Sequence, residues 1–182
     1  LIMCRDEIVG FVLGFRDLSA GLQRAGGRLW PLGWYHILSE RQRTRWINLN
    51  GAWQFEMDPG ASGRDRGLPQ AERLNGEILV PFCPESRLSG IAHTDFMPAV
   101  WYRRQFGLPA SWAGKRVLAH FGAVDYDSWV YVNGKQVGRH RGGYSSFTLD
   151  ITEALRSGSN ALTLCAEDDP RDPLVPRGKQ SE

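Results

Sequence analysis

A chain of 182 residues that is 42% hydrophobic and 23% charged can bury the core of one ordinary domain. Its formal net charge of +2 is too small to argue for a nucleic-acid or anionic-membrane partner, and no apolar run is long enough to span a membrane. Cys4, Cys83 and Cys165 are widely spaced and, with His36, His93, His120 and His140, form no zinc-type cluster, so no metal or other cofactor is expected.

Taken in chain order, residues 1–38 read as an irregular N-terminal arm. Gly10, Gly14, Gly21, Gly26, Gly27 and Gly33 interrupt any helical or strand period. The apolar stretch from Ile8 to Phe15 is short and follows Asp6 and Glu7, unlike a secretory leader, which favours a cytoplasmic location. The Leu at position 1 and the polar end through Glu182 read as a fragment of a longer protein.

From Trp46 onward the pattern is all-β. Candidate strands cover Ile47–Phe55, Glu77–Val80, Val100–Phe106, Arg116–Phe121, Ser128–Val132, Lys135–Arg139, Phe147–Asp150 and Ala161–Ala166, separated by Gly, Pro and Asp turns at sandwich spacing. Asn133-Gly134 supplies the two residues that tolerate positive φ in a type I′ turn, so the strands on either side form a hairpin. Ser128–Val132 is apolar on both faces from Trp129 on, which predicts a central strand covered twice. Gly60–Gly67 is charged and Gly-rich and reads as a mobile loop. Asp150 and Glu153 suggest a capped helical turn. The prolines after Asp169 stop the last strand.

Several separated blocks carry a family resemblance. Arg45-Trp-Ile-Asn-Leu-Asn-Gly-Ala-Trp-Gln-Phe55, Val80-Pro-Phe-Cys-Pro-Glu-Ser-Arg-Leu-Ser-Gly90, Val100-Trp-Tyr-Arg-Arg-Gln-Phe106, the stretch from Phe121 to Asp150, and Asn160-Ala-Leu-Thr-Leu-Cys-Ala-Glu-Asp-Asp169 occur in the order of the sugar-binding domain of glycoside hydrolase family 2. The chain resembles that domain over about residues 40–182. The resemblance implies a jelly-roll β-sandwich of the galactose-binding-domain-like type over 39–182, ending before its last strand, with one sheet edge left unpaired. It also implies downstream immunoglobulin-like and TIM-barrel domains. The barrel would carry two glutamates acting with retention, at about 5–5.5 Å separation. Neither glutamate motif occurs here, so no catalytic residue is assigned in this chain.

The residues with most to offer a β-glycoside are Arg139, Arg141, Tyr144 and Asp168. Arg139-His-Arg-Gly-Gly-Tyr144 combines hydrogen-bonding guanidiniums and an aromatic ring with glycines that allow close approach. Asp168 follows the last strand on a similarly placed loop. Two other readings stand beside this one: a free-standing carbohydrate-binding module without hydrolase activity, and a purely structural domain that makes homo-oligomer contacts.

Overall fold

The computed structural model describes residues 10–13, 46–169 and 172. Two sheets face one another. One is four-stranded, in the order β2 (Trp46–Asn48), β1 (Gly10–Leu13), β6 (Leu118–Phe121), β9 (Phe147–Asp150). The other is six-stranded, in the order β4 (Gly76–Val80), β3 (Gly51–Met57), β5 (Ala99–Gly107), β10 (Ser159–Glu167), β7 (Asp127–Val132), β8 (Lys135–Arg141). This is the all-β sandwich that the turn spacing predicts, and every candidate strand is present. The first candidate is broken in two. The Asn48 side chain accepts from the Asn50 amide at 2.7 Å, and Gly51 takes a φ of 125°, which ends β2 before β3 begins. Gly10–Leu13 is a strand where an irregular segment is expected; Phe11-Val12-Leu13 has the aromatic and β-branched content that suits one. It runs parallel to both β2 and β6. The rest of 1–38 lies outside the described residues.

The main core fills the space between the sheets. Alternation along the strands aims Val130, Val132, Leu162, Leu164 and Phe106 inward against Ala119, Phe121 and Ile151. Phe121 stacks on Phe147 with ring centroids 4.7 Å apart. The opposite face of the six-stranded sheet is also dry. Trp101, Trp129, Tyr131 and Cys165 pack there under Leu68 and Leu74. Strand β7 is thus covered twice, as its composition predicts.

The segment 58–75 forms that outer cover. It is a folded structure, contrary to the reading of Gly60–Gly67 as mobile. Asp58, 3% exposed, accepts from the Gly63 amide at 2.6 Å and from the Trp101 indole at 3.1 Å, and a 3-10 turn over Leu68–Gln70 follows. Another 3-10 turn spans Thr152–Ala154; Asp150 accepts from the Thr152 amide at 3.0 Å, an Asx-type bond rather than a capping box with Glu153.

The β7–β8 turn has the expected geometry, with φ of 52° at Asn133 and 80° at Gly134. Asn133 also ties the hairpin to β10: its amide nitrogen donates to the Ala154 carbonyl at 2.7 Å and its oxygen accepts from the Ala161 amide at 3.0 Å. Gly134→Val should cost roughly 1–2 kcal/mol from the left-handed backbone alone. A Cβ would in addition meet Gln70 at 3.0 Å. A urea melt of that variant, with an unchanged midpoint, would show that the turn changes type at no cost.

Candidate sugar-recognition site

Three strand ends meet at one end of the six-stranded sheet: the start of β5, the start of β7 and the end of β10. Antiparallel register sets Glu167 opposite both Ala99 and Asp127, which gathers their neighbours into one cleft of about 560 Å³. Its lining includes Phe96, Tyr126, Arg141, Asp168, Asp169 and Asp172. Phe96 is 74% exposed, an unusual position for a large apolar ring. Sequence reading misses it, because a lone aromatic in a loop has no period to announce it.

Of the four residues picked out from sequence, Arg141 and Asp168 line this cleft, and Arg139 and Tyr144 are not among its lining residues. Arg141 stands 5.3 Å from the Tyr126 ring centroid, and its guanidinium lies 3.8 Å from Asp127 and 4.0 Å from Asp172. Arg139 is committed elsewhere. It makes a two-pronged ion pair with Asp127 and covers one face of Trp129 at 4.6 Å. Arg64 lies over the same indole at 4.1 Å and pairs with Glu167 at 2.6 Å. Trp129 is therefore capped by guanidinium groups and offers no open platform to a sugar. Tyr144 is 66% exposed. The glycines before it do allow close approach, to a group of the same domain: a Cβ on Gly143 would fall 2.2 Å from the Asp125 carboxylate.

Asp168 is the least satisfied group of the cleft. Its amide donates to the Pro98 carbonyl at 3.0 Å, yet its buried Oδ1 has no hydrogen-bond partner among the described residues. Burial, then the charges of Asp125 and Asp169, push its carboxyl above the ordinary aspartate range. Desolvation and the charge of Glu85 push Asp125 the same way. The lining holds Asp127, Glu167, Asp168, Asp169 and Asp172 with Arg141, while Arg139 and Arg64 pair with Asp127 and Glu167 from outside it, so carboxylates still outnumber guanidiniums. Such a cleft accepts hydrogen bonds and disfavours anions. Among the described residues, no three His, Cys, Asp or Glu side chains converge as metal ligands.

Comparison with known proteins gives this geometry a context. The family profile described as "Glycosyl hydrolases family 2, sugar binding domain" matches residues 88–168. A β-glucuronidase of Paenibacillus borealis is 32% identical over 119 residues, 64% of this chain and 20% of that protein. A β-galactosidase of Thermoanaerobacter pseudethanolicus is 38% identical over 78 residues, 43% of this chain and 10% of that protein. Among solved structures, Ruminococcus gnavus β-glucuronidase in complex with a C6-substituted uronic isofagomine superposes with a TM-score of 0.60 at 26% identity, over 66% of this chain and 21% of that one. The chain thus spans a fifth or less of the length of these curated relatives.

Proposed function

We propose that this chain, which matches the sugar-binding domain of glycosyl hydrolases family 2 over residues 88–168, serves as the non-catalytic N-terminal part of a retaining β-glycosidase of the β-glucuronidase and β-galactosidase type. The acid/base and nucleophile glutamates would then reside on a barrel outside these residues. The role of this domain is to form one wall of the sugar site. Phe96 and Tyr126 offer apolar ring faces to a pyranose, and Asp168 accepts from its hydroxyls. The observation that carries the reading is the buried Asp168 oxygen, without a hydrogen-bond partner among the described residues, in a cleft that the exposed Phe96 also lines. The surplus of carboxylates there suits neutral hydroxyls better than a uronate.

The test is a titration of the chain with methyl β-galactoside and methyl β-glucuronide, alongside assays on the matching chromogenic substrates. We expect weak binding in the millimolar range, galactoside over glucuronide, and no turnover. Asp168→Ala should weaken binding by about tenfold, the worth of a hydrogen bond to a charged acceptor. Turnover that is lost on mutating an acid within 46–169 would overturn the non-catalytic reading. Binding unchanged in Asp168→Ala would overturn the site.

A further inference from the structure

At the other end of the same sheet lies a second cleft, of about 430 Å³, between the Pro69–Glu72 segment, the β7–β8 turn and the first residues of β10. The two clefts are separated by the length of β7, which runs from Asp127 at the first to Val132 beside the second. Arg103 lines this second cleft. It stands on the outer face of β5, two residues beyond Trp101, and is only 6% exposed. A charge this deep requires partners. Among the described residues Arg103 has one hydrogen bond, from Nη1 to the Gln54 side-chain oxygen at 3.3 Å, and its buried Nε has no acceptor. It is in no ion pair among the described residues; Glu72 attracts it only through space.

The remaining lining fixes what could complete it. Arg156, an exposed residue whose backbone bonds the Asn160 side chain, also lines the cleft and is in no ion pair among the described residues. Gln105 and Ser159 add an amide and a hydroxyl. Asn133 and Asn160 are already bonded to each other at 2.8 Å and to backbone groups. Among the described residues no aromatic lines the cleft, so hydrogen bonds and charge rather than ring stacking are the means of recognition these residues offer. The acidic Glu72 beside Arg103 would oppose a dianion such as phosphate, and it would accept from hydroxyls.

From this arrangement we infer that the second cleft binds the carboxylate of a polyhydroxylated monoanion, a uronic acid unit, with Arg103 and Arg156 holding the carboxylate while Glu72, Gln105 and Ser159 meet its hydroxyls. Guanidinium–carboxylate pairs of this kind are charge-assisted and can be bidentate. Burial lowers the pKa of Arg103, and an incoming carboxylate relieves that cost. The site is independent of Asp168: this cleft takes an acid, the first takes neutral hydroxyls.

The arginine Nε–H resonance of Arg103 in a nitrogen-15 NMR titration of the chain reads the site directly. D-glucuronate should shift it saturably. Glucose and acetate, which each lack half of the recognised chemistry, should bind at least roughly tenfold more weakly. Arg103→Lys keeps the charge and removes Nε, and it should also lose roughly tenfold, read in that variant from the backbone amides of Gln105 and Ser159; Arg156→Met should lose a similar factor without touching the buried position, and Asp168→Ala should change nothing. No shift with glucuronate, or equal binding of acetate, overturns the proposal. So does full affinity in Arg156→Met together with Arg103→Lys.

Discussion

Trp129→Ala is expected to lower the stability of the sandwich by about 3–5 kcal/mol, the range for deleting a large buried aromatic. The indole is 9% exposed within the cluster that also holds Trp101, Tyr131, Cys165, Leu68 and Leu74. Removing it opens a cavity between the sheet and its outer cover. It also removes the ring on which Arg64 and Arg139 rest, 4.1 Å and 4.6 Å from its centroid. Those guanidiniums would remain paired with Glu167 and Asp127, so the loss is one of packing and cation–π contact. Trp129→Phe should recover most of the stability, because a smaller ring still separates the guanidiniums from the strand. The measurement is the urea midpoint of each variant at constant slope. An unchanged midpoint in Trp129→Ala would mean that the indole is free on the surface, and it would then be the better candidate for a sugar platform.

The same tryptophan shows what could be read from the chain. Strand β7 was legible because Trp129, Val130, Tyr131 and Val132 leave no polar face, and such a strand must be covered twice. Its turn was legible because Asn133-Gly134 tolerates positive φ at both positions. The cover itself was not. Gly60–Gly67 looks like a loop in sequence, and its order depends on Asp58 reaching the Trp101 indole, 43 residues on in the chain. Composition contains no signal of that tertiary bond. The candidate site divides along the same line. Arg141 and Asp168 were found by residue type and loop position, and both line the first cleft. Arg139 has the same chemistry, but the strand register sets it opposite Trp129, and its ion pair with the diagonal Asp127 holds it over that ring. Phe96, and Arg103 with its unpaired Nε, became visible only in three dimensions.

Asp58→Ala should rival the loss of Trp129, costing about 3–5 kcal/mol, because it strips the acceptor from several donors at once. At 3% exposed, Asp58 takes the Gly63 amide at 2.6 Å, the Trp101 indole at 3.1 Å, the Ser62 amide at 3.2 Å and an Arg66 nitrogen at 3.2 Å. Without it, the Gly63 amide and the indole nitrogen are left with no acceptor in a dry interior, and the 58–75 cover loses its anchor. Asp58→Asn keeps the shape and one acceptor oxygen, so it should cost less near neutral pH. Its effect on pH dependence is the sharper test. Burial disfavours the Asp58 carboxylate, but the Gly63, Trp101 and Ser62 hydrogen bonds and the Arg66 charge outweigh it and hold the pKa below the ordinary aspartate range. A folded-state pKa below the unfolded one gives stability that is fully present above the unfolded value and is lost as pH falls through the folded one. The wild-type chain should therefore weaken below about pH 4, where an unfolded aspartate begins to bind its proton. Asp150, held down against burial by Thr152 and Arg116, adds to that slope, while Asp125 and Asp168 oppose it because their values are raised. The difference in urea midpoint between wild type and Asp58→Asn isolates Asp58: it should be large near pH 7 and shrink toward about pH 3. A gap that stays constant across that range would mean that Asp58 is not ionised in the folded chain, and the outer cover would then be held by Leu68 and Leu74 rather than by a buried carboxylate.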